Sequence, residues 1–330
     1  MPADHNESGQ ARTINLVLEG GGVKAVAHVG ALTVLHERGF VINRVAGASA
    51  GAVVGALVAA GIAGEQLKEL LLDFNFLDLQ VPIWGRFLPR RFGKVLALLT
   101  TGAMYQMTNL RSWLDEQLSA QGVVTFGDLK SADGDKLTVA VTDLTRGEVV
   151  YLPRDYRRLY GRDPDAERVV DAICASAAFP FFFRPQTIES RPHDIAPVVR
   201  VPEPVSIVMD GGVMANYPIE VFDSCDGHRS SIPTIGIKLL PRLPRAAGDN
   251  TIVPTPQTHV LPLRLIEMMV GTLVAGRMQA QVDLETTSVR TVYVDTHCVD
   301  ILHFALTDDD RSTLFNNGRT ATIEFLKSWQ

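Results

Sequence analysis

The order of elements within residues 13–64 constrains the fold more than any other feature of the sequence. A short buried strand, Ile14 to Leu18, runs directly into glycines, and apolar residues at helical spacing follow as far as Gly39. A second short strand, RVAGAS, is followed by a helix of small residues. Strands that alternate with helices in this way are typical of parallel strands joined by crossover helices. The order therefore predicts an α/β fold with a mainly parallel central sheet.

The remaining sequence predicts further elements of the same domain. KLTVAVTDL and EVVYLP flank TRG and predict an antiparallel hairpin, and VSIVMD, TIGIKLL and RTVYVDT predict later strands. Thr307 and Asp310 form a capping-box pattern at the start of a long surface helix. Stretches rich in proline and glycine are typical of loops rather than linkers, so we predict a single domain over residues 13–330. The polar residues 1–12 predict a disordered tail.

Composition limits the classes of function. The formal net charge of −6 over 330 residues gives no electrostatic reason to expect nucleic acid, because a phosphate backbone selects for a basic face. Cys174, Cys225 and Cys298 fit no metal-binding or redox spacing and indicate a reducing interior. The first residues lack the basic start and apolar run of a signal peptide. We therefore expect a cytoplasmic protein, either free or peripheral at membranes, with export by a route that leaves no such mark as the alternative.

The segment Val45 to Gly64 raises the alternative of a transmembrane helix. Its twenty residues carry no charge, and Gly47, Gly51 and Gly55 stand at overlapping GxxxG spacings. Thirteen of the twenty are glycine or alanine, however, so the free energy of transfer into lipid is small. A strand followed by a tightly packed internal helix explains the small residues equally well, and we expect no transmembrane segment.

Gly47-Ala48-Ser49-Ala50-Gly51 matches the GxSxG pattern of a nucleophile elbow. Such an elbow needs a strand, a sharp turn and a helix, with small neighbours because the backbone of the serine is strained. Ser49 would lie at a helix N-terminus, where backbone N–H groups favour developing negative charge. Close helix–strand packing, with Ser49 only as an N-cap, is the alternative interpretation. Ser49 is our candidate nucleophile.

Three glycines, Gly20, Gly21 and Gly22, end the first strand just before a helix. Preorganised N–H donors of this kind can stabilise the oxyanion of a tetrahedral intermediate, and without side chains they approach a ligand closely. Lys24 adds a positive charge one turn into the helix, which is an odd placement unless an anion is nearby. A dinucleotide fingerprint is the alternative, since Gly20, Gly22 and Ala25 fit GxGxxA. The second strand, however, lacks the acidic residue that would hold a ribose hydroxyl.

Asp210 ends the predicted strand VSIVMD and precedes Gly211 and Gly212. A serine is a poor nucleophile until a base takes its proton. Functional groups gather at the carboxyl ends of the strands in a doubly wound sheet, so we expect Asp210 to lie near Ser49. An Asp-Gly pair that initiates a turn is the alternative interpretation.

A triad with histidine is a second possibility for the base, because Ser, Asp and His follow one another in that order in some hydrolases. The later histidines are His228, His259, His297 and His303. None of them follows a clear strand in a glycine-rich turn, and His297, just past RTVYVDT, comes closest.

Four blocks of sequence, taken together and in this order, resemble the patatin-like phospholipase family. The blocks are GGGVK (Gly20 to Lys24), GASAG (Gly47 to Gly51), ASAAFP (Ala175 to Pro180) and DGGVMANYP (Asp210 to Pro218). Their conjunction is far more specific than any single block. The resemblance implies a three-layer α/β/α sandwich with a mainly parallel central sheet. It covers the chain as far as about Pro218 and says little about the final third.

The resemblance also implies a chemistry. Members of the family hydrolyse acyl esters of phospholipids and related lipids with a Ser–Asp dyad, without histidine, metal or other cofactor. On that basis Ser49 is the nucleophile and Asp210 the base, while Lys24 faces an anionic head group. The expected oxyanion hole is Gly20, Gly21 and Gly22, with Gly21 and Gly22 as the donors, and the supporting glycines of the motifs are Gly47, Gly51, Gly211 and Gly212. The expected partner is a lipid substrate at a membrane or micelle surface, and a small-ester hydrolase with a Ser-His-Asp triad is the alternative function.

Two segments are candidates for contact with the lipid. Residues 80–107 mix aromatic and basic side chains, which suits anionic head groups, and we predict a lid-like insertion there. A plain surface element is the alternative. Leu261 to Ala275 is strongly apolar and predicts a core helix, with lining of the acyl pocket as its alternative.

Overall fold

The computed structural model describes residues 12–83, 90–131, 133–191, 204–224, 228–240 and 288–329. The strands in these ranges are β1 Arg12–Leu18, β2 Phe40–Ala48, β3 Val81–Pro82, β4 Ala103–Gln106, β5 Lys130–Ser131, β6 Gly134–Asp135, β7 Leu137–Asp143, β8 Glu148–Leu152, β9 Phe181–Phe183, β10 Gln186–Glu189, β11 Val205–Asp210, β12 Thr234–Leu240 and β13 Thr291–Asp295. The α-helices are α1 Val26–Glu37, α2 Ala50–Ala59, α3 Gly64–Leu72, α4 Arg90–Thr101, α5 Thr108–Ala120, α6 Arg154–Tyr160, α7 Val169–Ser176, α8 Gly212–Ala215 and α9 Asp308–Ser328.

Eight of the described strands form one sheet. Its order is β10-β11-β7-β2-β1-β12-β13, and β8 pairs with β7. Strands β7, β2, β1, β12 and β13 run parallel, whereas β8, β11 and β10 are antiparallel to the strands they pair with. Helices flank this sheet, so the predicted α/β fold with a mainly parallel sheet is confirmed. The predicted hairpin is also confirmed as β7 and β8.

The two faces of the central strands pack against different parts of the chain. Leu16 and Leu18 of β1 belong to a large apolar cluster that includes residues of α1, α2 and α9. Val17 points to the opposite face, where it packs with Tyr217 and Ile219. This alternation follows from the pleat of the strand. Residues 14–18 are buried throughout, as expected for a strand covered on both faces.

The register of β7 determines where the candidate site forms. Ala140 pairs with Ala48 at the end of β2, and Val141 pairs with Asp210 at the end of β11. Strand β8 pairs with the same stretch of β7. Because a strand has only two edges, β2 and β11 must lie end to end on the edge opposite β8. Their carboxyl ends therefore meet, and Ser49 follows one of them while Asp210 closes the other.

Ser49 and Asp210 come together through a different strand arrangement from the one predicted. We expected both at one edge of a set of parallel strands, but β11 is antiparallel to β7. Strand β11 begins its pairing with β7 near the carboxyl end of β7, at Asp143, and ends its pairing at Val141. Strand β2 ends its pairing at the adjacent residue, Ala140. Two strands of opposite direction thus bring the two side chains together.

Several predictions concern segments that the structure describes only in part. Residues 80–107 contain β3, α4 and β4, and β3-β4-β9 form a second, three-stranded sheet. Residues 84–89 lie outside the described residues, and a lid function stays a prediction. Arg12, assigned to the tail, is the first residue of β1. Residues 1–11 and the segment Leu261 to Ala275 lie outside the described residues.

The segment Val45 to Gly64 is not a continuous helix. Its first residues belong to β2, a turn follows at Ser49, and α2 then has ten residues. In the ranges that the structure describes, no helix combines the length and the apolar character needed to cross a membrane.

Candidate active site

Ser49 occupies the sharp turn between β2 and α2. Its backbone has φ 51° and ψ −127°, a strained combination for a residue with a side chain and one typical of functional turns. Helix α2 begins at the next residue, so Ser49 lies at the N-terminus of the helix, where the first N–H groups have no partner within the helix. The serine side chain makes no capping hydrogen bond to α2, which rules out the interpretation of Ser49 as a simple N-cap.

The Ser49 hydroxyl donates a hydrogen bond to the Asp210 carboxylate. The distance from Oγ to Oδ2 is 2.6 Å, and Oδ1 accepts from the Gly212 backbone N–H, also at 2.6 Å. Asp210 is 2% exposed, and this burial raises its pKa from 3.8 to about 6, although both hydrogen bonds favour the ionised form. The carboxylate is therefore a stronger base than a solvated aspartate and is still largely ionised at pH 7.

Ser176, in the block ASAAFP, holds the turn at Ser49 through a hydrogen bond to its backbone. Its hydroxyl accepts from the Ser49 backbone N–H at 2.8 Å and donates to the Ala140 carbonyl at 2.6 Å. The side chain is fully buried. Nothing in the sequence assigns this role to Ser176, because its partners are 127 and 36 residues away. The only available signal was its place in a block that resembles the family.

The glycine loop that follows β1 lies beside Ser49. The Gly20 N–H already donates to the Asn216 carbonyl at 3.1 Å, so it is not free to bind a ligand. No hydrogen bond from the N–H of Gly21 or Gly22 is found among the described residues. Gly22 has φ +55° and begins a short 3-10 turn that leads into α1. These contacts are compatible with Gly21 and Gly22, rather than Gly20, as the oxyanion donors, and that assignment stays a prediction.

Asn216 joins the glycine loop to the loop that carries Asp210. Its side-chain Nδ2 donates to the Gly20 carbonyl at 3.1 Å, and its own carbonyl accepts from the Gly20 N–H. Asn216 lies in the block DGGVMANYP, but its contact with Gly20 spans 196 residues and was not predicted.

Lys24 does not reach the cavity beside Ser49. Its side chain is buried, with 6% exposed, and it is absent from the described lining of that cavity. Burial lowers the pKa of Lys24, and the nearby carboxylate of Asp300 opposes this shift. Lys24 is therefore not part of the described cavity wall, and its contact with a lipid head group stays a prediction.

The described partners of Ser49 and Asp210 include no histidine. The hydroxyl and the carboxylate bond to each other, and Gly212 provides the other contact of the carboxylate. His297, the best candidate for a triad, is exposed and its Nδ1 lies 2.8 Å from Asp295. His259 lies outside the described residues.

A cavity opens beside Ser49. Ser49 and Gly22 both line it, and Ser49 is the one described lining residue that carries a hydroxyl. Apolar side chains make up most of the wall, including six aromatic residues: Phe74, Phe76, Trp113, Phe179, Phe183 and Phe304. Such a wall favours a hydrocarbon ligand.

This chain resembles known proteins in sequence and in fold. The family description "Patatin-like phospholipase" matches residues 16–223. The protein YqhO of Bacillus subtilis (strain 168) is 28% identical over 316 residues, which cover 96% of this chain and 99% of YqhO. The crystal structure of VipD from Legionella pneumophila is similar with a TM-score of 0.53 and 17% identity, over 99% of this chain and 70% of that one. This last likeness shows the fold alone. Because the family match covers more than half of the sequence, the chain belongs to the patatin-like phospholipase family.

Proposed function

We propose that this protein hydrolyses carboxylic esters of lipids, as a phospholipase A or lysophospholipase, with Ser49 as the nucleophile and Asp210 as its base. Family membership supports the coarser statement, a lipid hydrolase. The observation that carries the finer one is the 2.6 Å hydrogen bond from Ser49 Oγ to Asp210 Oδ2 beside an apolar cavity.

The first half of the proposed reaction forms an acyl-enzyme. As Ser49 Oγ attacks the ester carbonyl carbon, its proton passes to Asp210 Oδ2, to which it is already bonded. The tetrahedral intermediate then collapses, the bond to the leaving oxygen breaks, and Asp210 returns the proton to that oxygen. The alcohol or lysolipid departs, and Ser49 keeps the acyl group.

The second half releases the acyl group. Asp210 takes a proton from a water molecule, whose oxygen attacks the acyl carbon. When the second intermediate collapses, the carboxylic acid leaves and Ser49 Oγ recovers its proton from Asp210. The same carboxylate thus acts as base and acid twice, which suits a group with a pKa of about 6.

Gly21 and Gly22 are the proposed oxyanion donors. Neither N–H has an acceptor among the described residues, and Gly22 lines the cavity together with Ser49. Preorganised donors act most strongly in a site from which water is excluded, and one such donor contributes about 10²–10³-fold to kcat. The N-terminus of α2 adds partial positive charge at the same point.

The cavity is the proposed binding site for the acyl chain. Its aromatic and aliphatic wall gains free energy from burying a hydrocarbon chain, at about 25 cal/mol per Å² of apolar surface. Ile301 lines the cavity and is 37% exposed, so an apolar side chain is available at its mouth. An exposed apolar rim suits a substrate that is presented by a membrane or micelle.

Reaction with a fluorophosphonate probe tests the proposal directly, because such probes phosphonylate activated serines. We expect the wild-type protein to be labelled at Ser49 and to release fatty acid from phosphatidylcholine or lysophosphatidylcholine micelles. Ser49→Ala should show neither reaction. Labelling of Ser49→Ala at the wild-type rate would exclude Ser49 as the nucleophile, and labelling without any release of fatty acid would exclude the lipid substrate.

The pH dependence of the reaction follows from the pKa of Asp210. Only the ionised carboxylate can accept the serine proton, so kcat/KM should rise with pH through an apparent pKa of about 6 and level off above it. Below that point the rate should fall about tenfold per pH unit. A pH–rate profile on p-nitrophenyl butyrate measures this.

An added alcohol cosolvent distinguishes a carboxyl group from an imidazole in the same experiment. A lower dielectric constant disfavours the carboxylate and raises its pKa, whereas it disfavours the imidazolium and lowers its pKa. We expect the profile to move to higher pH in ethanol. Movement to lower pH would indicate a histidine base and the alternative Ser-His-Asp triad.

A further inference from the structure

A buried ion pair lies directly behind the glycine loop. Glu19 and Lys238 are each 0% exposed, and Lys238 Nζ is 3.1 Å from Glu19 Oε1. The other carboxylate oxygen of Glu19 accepts from the Leu239 N–H at 2.6 Å, and Lys238 Nζ also lies 4.7 Å from the centre of the Tyr217 ring. Glu19 immediately precedes Gly20, so the position of Glu19 determines where the glycine loop begins.

Stability alone does not explain why charges stand at this point. Removing two charges from water costs several kcal/mol per ion, and well-packed apolar residues are often as stabilising or more so. Leu16 and Ile235 pair in the same two strands and are fully buried without any charge. An apolar contact would therefore hold β1 against β12 here as well.

The remaining polar groups of residues 19 and 20 are also engaged. The Glu19 carbonyl lies 2.8 Å from His28 Nε2, and burial lowers the pKa of His28 to about 4, so the ring is neutral and Nε2 carries the donated proton. The Glu19 N–H donates to the Ile237 carbonyl, and both backbone groups of Gly20 bond to Asn216. Every polar group of residues 19 and 20 thus has a partner.

Gly21 and Gly22 differ from residues 19 and 20 in that their N–H groups are not engaged by any described residue. They have no side chains, and their N–H groups have no acceptor among the described residues. The direction of these two N–H groups must therefore be set by the residues on either side. An oxyanion donor is most effective when it needs no reorganisation during the reaction.

We infer that Glu19 and Lys238 are a pair of positioning residues that fix the glycine loop, so that the N–H groups of Gly21 and Gly22 face the reacting carbonyl. This inference rests on the proposed function and adds the device that orients its oxyanion donors. The pair touches neither substrate nor reacting atoms. Its effect belongs to the transition state, because only there does the carbonyl oxygen carry the charge that the donors stabilise.

The experiment separates the folding contribution of the pair from its positioning contribution. Lys238→Met leaves a buried carboxylate without its cation, whereas Glu19→Gln with Lys238→Met removes both charges and retains an acceptor for the Leu239 N–H. The matched control is the mostly buried pair Asp223–Arg290, at the opposite end of the sheet just before β13, removed as Asp223→Asn with Arg290→Met. The readouts are Tm, kcat and KM on p-nitrophenyl butyrate, and Ki for butylboronic acid, whose adduct with serine is tetrahedral.

We expect Lys238→Met to lower both Tm and kcat. The double variant of Glu19 and Lys238 should recover most of the loss in Tm, yet its kcat should stay at least about tenfold below wild type, within the 10²–10³-fold contribution of one oxyanion donor. Its KM should change by less than about threefold, and Ki for butylboronic acid should rise by the factor by which kcat/KM falls. The Asp223–Arg290 double variant should keep the wild-type kcat.

Two outcomes would overturn the inference in different ways. Recovery of kcat together with Tm in the double variant of Glu19 and Lys238 would mean that the pair serves folding only, while the proposed function would stand. Wild-type hydrolysis by Ser49→Ala, measured alongside, would overturn the proposed function and this inference with it.

Discussion

Replacement of Asp210 by asparagine is expected to lower kcat by about 10²–10⁴-fold, the range that a catalytic base contributes. Asparagine has nearly the same shape and can still accept the hydrogen bond from Gly212, but it cannot take the proton of Ser49. The loss should therefore appear in kcat rather than in KM. A steady-state assay on p-nitrophenyl butyrate, with Ser49→Ala as the baseline, measures it.

The same substitution is expected to raise the stability of the fold. The pKa of Asp210 is about 6 in the folded protein and about 3.8 when solvated, so the folded state binds the proton more tightly. As the pH rises from 3.8 to 6, ionisation of Asp210 lowers the free energy of unfolding by up to about 3 kcal/mol, and the loss stays constant at higher pH. Asp210→Asn removes it. The gain in Tm over wild type should be small near pH 4, grow as the pH rises to about 6, and stay constant above that.

A matched control is available in Asp163. Its side chain is exposed, pairs with Arg157 at 3.1 Å and caps a short 3-10 turn, a role that asparagine fills equally well. Asp163→Asn should leave kcat and Tm unchanged. Retention of more than a tenth of the wild-type kcat by Asp210→Asn would contradict the assignment of Asp210 as the base. Loss of activity accompanied by a lower Tm at pH 8 would contradict the account of its burial.

The local order of elements was predictable from the sequence because it depends on neighbouring residues. The run Ile14 to Leu18, the glycines that follow it and the small residues around Ser49 all signal structure within a few positions. The capping box of Thr307 and Asp310 is present as predicted, with Thr307 Oγ1 accepting from the Asp310 N–H at 3.1 Å. Patterns of this kind need no knowledge of the tertiary structure.

The direction of β11 was not predictable in the same way. VSIVMD has the pattern of a strand whichever way it runs, and its pairing with β7 joins residues far apart in sequence. The contact between Ser49 and Asp210 was expected, but from parallel strands. It arises because the last residues of β2 and β11 pair with adjacent residues of β7.

Polar contacts across long sequence separations account for the other differences. The Gly20 N–H donates to the Asn216 carbonyl, and the Ser176 hydroxyl accepts from the Ser49 N–H, and the sequence indicated neither contact. Lys24 is buried and does not line the described cavity, and burial lowers the pKa of its ammonium group. Periodicity and composition do not reveal the partner of a side chain, and a motif fixes only the positions of residues along the chain.

The second large effect is expected at Gly51, where alanine should destabilise the fold by more than about 3 kcal/mol. A Cβ at this position would overlap the backbone carbonyl oxygens of Leu18 and Glu19, at the end of the central strand β1. These atoms cannot move without disturbing the sheet and the glycine loop together. Helix α2 would have to withdraw, and it carries Ser49 at its N-terminus. Thermal unfolding should show a large loss in Tm, and folded protein that remains should have a lower kcat.

Gly55, one turn further along α2, is the matched control for the same substitution. A Cβ there would meet only side chains, Val45 Cγ1 at 3.0 Å and Leu137 Cδ1 at 3.7 Å, which can shift by a few tenths of an ångström. Alanine also has the higher helix propensity, by about 1 kcal/mol. We expect Gly55→Ala to change stability by less than about 1 kcal/mol and to keep the wild-type kcat. A Gly51→Ala variant as stable as Gly55→Ala would mean that α2 and β1 are not packed as closely as the structure indicates, and the orientation of Ser49 would then need another explanation.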